Sequence, residues 1–315
     1  GSINEEFDYE FTKYVEIKFD DLESLENSDI QNYDPEYKPH NFTYCFKVKS
    51  SDQVILAGIQ NEKVRILDET EIRNQVITPL NKEQLFLSNA INQNYYNILV
   101  VEAKAGSGKT LLALSGALKL IRHKIFQRVI YVRNSIESLD KGEDVGYLPG
   151  LEEKFKIYNH PLMDSLDYIV RSEHKKKKMN KKTTETYSEL DDQEVTLRVE
   201  QLIQNYSIET MWVGEMRGRT ISNAIVIIDE AQNMSNKTMQ MVLSRVDSSC
   251  KVIVLGSNKQ IDNFYVNKHT NSLTTLLKST KDKSELVNLF AIGLQKVLRG
   301  PITEWAENIF STKKS

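Results

Sequence analysis

The sequence predicts an α/β fold: a parallel sheet of about five strands covered by helices, preceded by a small antiparallel β module. Three observations carry this. Ile98-Leu-Val-Val-Glu-Ala103 is an apolar run that breaks into the glycine-rich turn Lys104-Ala105-Gly106-Ser107-Gly108 and ends in Lys109-Thr110. Ile225-Val-Ile-Ile228 is a short β-branched run that closes on Asp229-Glu230. Lys251-Val-Ile-Val-Leu-Gly256 is a third such run, followed by polar residues. Strands this apolar are buried on both faces of a parallel sheet, and parallel strands need crossover helices.

Taken in chain order, residues 1–40 are acidic and end near Pro35 and Pro39. They read as a solvated linker or as the tail of a missing upstream domain. The chain opens on Gly1-Ser2 and not on Met, as after removal of a tag, so the natural protein is expected to extend upstream. Residues 41–77 carry three strand-like runs, Phe42–Lys49, Val54–Ile59 and Val64–Leu67, with Gly58 and Asn61 as turn signals. Phe42, Tyr44 and Phe46 recur at every second residue. Such a stripe is either a stacking surface for RNA bases or the core of the module.

Residues 78–315 form the main domain. Pro79-Leu-Asn-Lys-Glu-Gln84 leads in, and Leu111–Ile125, apolar, alanine-containing and free of proline, reads as the helix after the glycine-rich turn. Arg128–Arg133 is the next strand. Residues 171–200 interrupt the pattern with Lys175–Lys178, Lys181 and Lys182, then Glu185, Glu189, Asp191, Asp192 and Glu194. That stretch reads as a mobile surface insertion, a solvated loop or a contact for phosphate backbones. The chain ends in a helical tail with Trp305 and Phe310 on its apolar face.

The glycine-rich turn is the layout that holds a nucleoside triphosphate by its phosphates. Gly106 and Gly108 let backbone N–H groups converge on an anion, Lys109 reaches the β- and γ-phosphates, and Thr110 offers its hydroxyl to Mg2+. Lys104 to Leu111 is therefore the candidate nucleotide-binding stretch, its helix presenting a positive N-terminal end. The usual eight-residue pattern opens with Gly, and Ala103 takes that place here. At the end of the second run Asp229 is the candidate metal-holding acid and Glu230 the base for an attacking water. The alternative is an acidic pair capping the helix Gln232–Arg245. Ser257, Asn258 and Gln260, at the end of the third run, are placed to sense the γ-phosphate.

Several blocks resemble the PhoH-like ATPases. Gly146-Tyr-Leu-Pro-Gly150 with Glu152-Glu-Lys154 is similar to that family's Gly-Phe-Leu-Pro-Gly and Glu-Glu-Lys block. Arg217-Gly-Arg-Thr220, Asp229-Glu-Ala-Gln-Asn233, Gln260-Ile-Asp262 and Val297-Leu-Arg299 follow in the family's order, so the resemblance spans about Pro39 to Phe310. It implies a RecA-like core related to superfamily-1 helicases, Mg2+-dependent ATP hydrolysis, single-stranded RNA translocation or unwinding, and often a PIN nuclease domain upstream. It implies roles for Gln260 and Arg299 at the γ-phosphate, and for Gln84 at the adenine edge, since an amide both donates and accepts, the alternative for Gln84 being a helix-start residue. Arg217 and Arg219 lie in a glycine-flanked turn where packing has little use for two guanidinium groups. They are expected either to reach a neighbouring subunit's γ-phosphate in a ring, a hexamer by resemblance, or to pair with Glu215. The chain departs from the family in three places: Ser257 stands where it has Asp after Gly256, Val132-Arg133-Asn134 where it has Thr-Arg-Pro, and Ala103 where it has Gly.

Composition narrows the rest. A net charge of −3 excludes a uniformly basic coat for nucleic acid. Cys45 and Cys250 are too far apart for a disulfide framework or zinc site, and the five histidines show no metal-ligand spacing. No apolar run approaches the ~20 residues of a membrane span and no secretory signal opens the chain, so a cytoplasmic protein is expected. Two rivals to the motor reading remain: a slow nucleotide-gated module regulating an attached or partner nuclease, which Ser257 favours, and a small-molecule P-loop kinase, which the Asp229-Glu230 pair and Gln84 oppose.

Overall fold

The computed structural model describes residues 10–104, 106–134, 160–180, 188–258, 270–294 and 301–310. They form two sheets. The smaller has four strands, β1 (Thr12–Ile17), β2 (Thr43–Val48), β3 (Val54–Gln60) and β4 (Lys63–Ile66), in that spatial order. β3 and β4 form a hairpin whose two loop residues, Asn61 and Glu62, both have positive φ, as the twist-matched two-residue turn requires.

Two expectations about this region change, and one open alternative is resolved. The sheet is mixed, because β1 runs parallel to β2 while the other pairs are antiparallel. β1 also lies inside the stretch that acidity marked as linker or tail. Averaging the charge over that stretch conceals Phe11, Ile17, Leu25 and Ile30, all buried. One of its acids is structural too: Asp34 accepts from Lys13 Nζ and from the Tyr44 hydroxyl, each at 2.6 Å. Finally, the aromatic stripe is core and not an RNA-stacking surface. Phe42, Tyr44 and Phe46 are all buried, and the Tyr44 and Phe46 rings stack on each other 5.5 Å apart.

The larger sheet has six parallel strands, β5 (Ile98–Ala103), β6 (Arg128–Arg133), β7 (Ile208–Trp212), β8 (Ala224–Ile228), β9 (Lys251–Gly256) and β10 (Leu289–Leu294), in the order β10-β5-β9-β8-β6-β7. Every residue of β8 and β9 is buried, so both faces of the sheet are covered. The flanking helices are α1 (Glu69–Arg73), α2 (Lys82–Asn92), α3 (Lys109–Arg122), α4 (His160–Asn180), α5 (Asp192–Asn205), α6 (Asn236–Ser244), α7 (Ser272–Ser279) and α8 (Pro301–Phe310). With β9 inserted between the glycine-loop strand β5 and the acid-bearing strand β8, this is the RecA-like P-loop NTPase arrangement. The two edge strands β7 and β10 bring the total above the expected five.

The charged insertion is helical where it is described. Lys175–Lys178 ride on the last turns of α4, and Leu190, Val195 and Val199 are buried. Arg171 clips α4 to the start of α5 by donating to Asp167 at 2.7 Å and Asp192 at 3.0 Å. Lys176 donates to the Gln75 carbonyl and so ties α4 to the loop before α2. The mobile-loop reading therefore fails for these residues: a periodic apolar set within a charged run is enough to dock it. Trp305 and Phe310 lie on α8 and are exposed. Among the described residues no helix is long and apolar enough to cross a membrane.

Candidate nucleotide site

All strands of the larger sheet end on one edge, and there the candidate residues collect. β5 leads into the glycine-rich turn, where Gly106 and Gly108 have φ of 77° and 82°. Those angles would strain any residue with a Cβ. Ser107 N–H donates to the Lys104 carbonyl at 3.2 Å, and Lys104 N–H reaches Leu294 on β10 at 3.3 Å. Gly108 is the N-cap of α3 and no side chain caps that end, leaving its first N–H groups for an anion. Lys109 and Thr110 are the first two residues of α3, and the half-buried Leu111 packs against the core. The Ser107 hydroxyl is buried with no hydrogen-bond partner. An orphaned buried donor beside an uncapped 14-residue helix fits a phosphate group. Ala105 lies outside the described residues.

Gln84, on α2, is buried, and its amide already has partners. Oε1 accepts from Leu80 N–H at 2.7 Å, and Nε2 donates to the Ser107 carbonyl at 3.3 Å. Asn81 caps α2 by accepting from Gln84 N–H at 2.9 Å, which sets the first turn and hence this reach. Gln84 thus braces the glycine-rich turn, and since an amide carries two hydrogens and two lone pairs it can keep both bonds while it contacts an adenine edge.

Thr110 and Asp229 meet across the sheet edge, the Thr110 hydroxyl donating to Asp229 Oδ2 at 3.2 Å. Asp229 is fully buried, and its Oδ1 accepts from Glu230 N–H at 2.9 Å. A second donor on Oδ2 is the hydroxyl of Tyr131 from the neighbouring strand β6. Burial, and then the adjacent Asp229 carboxylate, push the Tyr131 hydroxyl well above its usual range, so it stays protonated as the donor. Hydroxyl and carboxylate oxygens are the donor set of a hard divalent cation, so Thr110 and Asp229 fit Mg2+.

Glu230 follows in a left-handed backbone conformation with φ of 57°. Its Oε2 accepts from Gln232 Nε2 at 2.7 Å, and Gln232 Oε1 accepts from Ser257 N–H at 3.0 Å. The end of β9 is thereby linked to the candidate base. Asn258 Oδ1 accepts from Asn271 Nδ2 at 2.9 Å at the start of α7. Tyr131 and Gln232 were not singled out from sequence. The usable signal for Tyr131 is its hydroxyl within an aliphatic strand, since a buried tyrosine needs a partner.

Arg217 and Arg219 are exposed in the turn after β7, around Gly218 with φ of 77°. Among the described residues neither forms an ion pair with Glu215 or another acid. β7 is the sheet edge four strands from β5, roughly 19 Å in the plane of the sheet at the usual strand spacing. Gln260, Arg299 and the motif residues at 146–154, 262 and 297–298 lie outside the described residues.

A family profile described as "PhoH-like protein" matches residues 76–311. The PhoH-like protein of Mycobacterium leprae is 32% identical over 212 residues, covering 66% of this chain and 52% of that protein. Protein PhoH2 of Bacillus subtilis is 30% identical, covering 65% of this chain and 42% of its own length. Protein PhoH of Escherichia coli is 30% identical, covering 58% and 44%. The chain thus spans about half the length of the curated relatives it matches. Among solved structures, unliganded Pif1 from Bacteroides sp aligns at a TM-score of 0.31 with 15% identity, covering 72% of this chain and 44% of that one.

Proposed function

Starting from a chain that belongs to the PhoH-like protein family, we propose that it hydrolyses ATP with Mg2+ and couples hydrolysis to single-stranded RNA. The observation that carries the reading is the hydrogen bond from Thr110 to Asp229, groups 119 residues apart in sequence that meet beside the uncapped end of α3. Lys109 and the turn's N–H groups neutralise the phosphates. Thr110 and Asp229 hold Mg2+, which when bound offsets phosphate charge. Glu230 takes the proton from the attacking water, and Gln232 orients that carboxylate. Gln260 reads the γ-phosphate, and Arg299 stabilises charge developing in the transition state. Gln84 reads the adenine. Arg217 or Arg219 acts in a neighbouring subunit of a ring, a hexamer by resemblance, and a PIN nuclease domain upstream receives the RNA.

A second reading has one observation in its favour. Ser257 replaces the family's acid, and its backbone N–H is engaged by Gln232, which also holds Glu230. In that reading the domain cycles slowly and gates a nuclease attached to it or bound by it. Steady-state phosphate release with and without single-stranded RNA separates the two. Rapid release stimulated by RNA supports the motor. Slow release indifferent to RNA supports the switch, and no release with ATP overturns both.

A further inference from the structure

The sequence motifs leave Tyr131 without a role, yet its hydroxyl is one of the donors that restrain the candidate metal-binding carboxylate. Tyr131 stands on β6 with no exposed surface, one residue before Val132, which is paired with Ile228 at the end of β8. Asp229 N–H donates to the Val132 carbonyl at 3.1 Å, so the backbone of β6 already fixes where Asp229 leaves the sheet. The Tyr131 hydroxyl then donates to Oδ2, the same oxygen that accepts from Thr110 at 3.2 Å. Oδ1 is taken by Glu230 N–H at 2.9 Å.

We propose that Tyr131 is a positioning residue of the nucleotide site, holding the Asp229 carboxylate in the rotamer that Thr110 and a divalent cation require. A carboxylate with Thr110 as its only side-chain donor can rotate about its last bond and lose that contact. Two donors on one oxygen and a backbone N–H on the other remove the freedom. A ligand carboxylate oriented by a hydrogen bond from behind binds metal more tightly than one that must be ordered during binding. The alternative role, a tyrosine that merely fills the core and satisfies its own hydroxyl, predicts a loss of stability with no change in metal dependence. This inference rests on the proposed Mg2+-nucleotide site and adds to it a residue outside the family's motifs.

The test is the affinity of a fluorescent ATP analogue with Mg2+ present or chelated, measured on the parent chain, Tyr131→Phe, Asp229→Asn and the double variant. Phenylalanine keeps the ring and removes the hydroxyl alone. Tyr131→Phe is expected to reduce the Mg2+-dependent gain in affinity about tenfold, the scale of lost outer-sphere contacts, and to leave metal-free binding unchanged. The double variant should behave as Asp229→Asn, because Tyr131 acts only through that carboxylate. An unchanged Mg2+-dependent gain in Tyr131→Phe, with Asp229→Asn losing it, overturns the role of Tyr131. Retention of the full gain in Asp229→Asn overturns the metal site itself. Should the single variant melt below assay temperature, thermal melts with and without Mg2+-nucleotide are compared between Asp229→Asn and the double variant, where no carboxylate is left short of a donor. A ligand-induced shift that differs between those two also overturns the proposal.

Discussion

Gln232 donates Nε2–H to Glu230 Oε2 across 2.7 Å while its own Oε1 accepts from Ser257 N–H. The candidate base is thus held from the strand that separates β5 from β8. Gly256 leaves the room for this: a Cβ there would lie 2.7 Å from Gln232 Oε1 and 2.9 Å from Leu273 Cδ2. Gly256→Ala is expected to displace Gln232, lower kcat more than it raises KM, and reduce stability by about 1–3 kcal/mol, the usual cost of overpacking. Steady-state kinetics and denaturant unfolding check this, and an unchanged kcat removes Gln232 from the mechanism.

Glu230→Gln is expected to keep nucleotide affinity and abolish turnover, because the carboxylate acts on water and not on the phosphates. Lys109→Ala should weaken both, since it removes a charge bonded to phosphate. Equilibrium binding and phosphate release measured on the same preparations give the comparison. Hydrolysis at the parental rate by Glu230→Gln would show that another group is the base.

Gln84 offers a sharper discrimination. If its amide reads the base as well as holding Leu80 and Ser107, the parent prefers ATP to GTP and Gln84→Ala flattens that preference by about 1–2 kcal/mol. If Gln84 only braces the turn, Gln84→Ala weakens both nucleotides equally. Competition binding with the two nucleotides decides.

Lys251 is buried at the start of β9 and donates to the carbonyls of Ala90 and Gln93 at 3.0 and 2.7 Å, at the end of α2. Burial pushes its pKa from 10.5 down to about 7. The unfolded chain therefore binds more protons than the folded one between those values, so stability rises with pH across that window and the charging penalty is complete below about 7. Urea unfolding between pH 7 and 9 should show this rise, and Lys251→Met should flatten it. A parent curve that is level or falling over that range refutes the assignment.

Assembly is tested by mixing. An Arg217→Ala/Arg219→Ala subunit and a Lys109→Ala subunit, each inactive alone, should regain ATPase activity together if an arginine acts across an interface. Full activity of the parent at dilutions where it sediments as a monomer would exclude the ring.

Much of the site could be read from the sequence because its signals are local. Gly106 and Gly108 adopt the positive φ that only glycine takes freely, and Lys109-Thr110 follow because the strand–turn–helix holds them within a few residues. Asp229 sits one residue past a fully buried strand, as its β-branched run predicted. The linker reading of residues 12–17 and the loop reading of 171–180 and 188–200 fail for the opposite reason. The burial of these segments depends on a few apolar side chains meeting distant partners, and net composition carries no trace of which partners those are.

What the sequence alone determined is the set of backbone-encoded pieces: a glycine-rich turn between strand and helix, two acids at a strand end, a third apolar strand with polar residues behind it. Only the tertiary structure decided that Tyr131 and Thr110 share one Asp229 oxygen, that Gln84 braces Ser107, and that Gln232 joins Glu230 to Ser257. Periodicity and turn chemistry act over a few residues and leave a pattern in the string. A hydrogen bond between side chains on different strands depends on strand order and register, which are settled by packing the whole sheet at once.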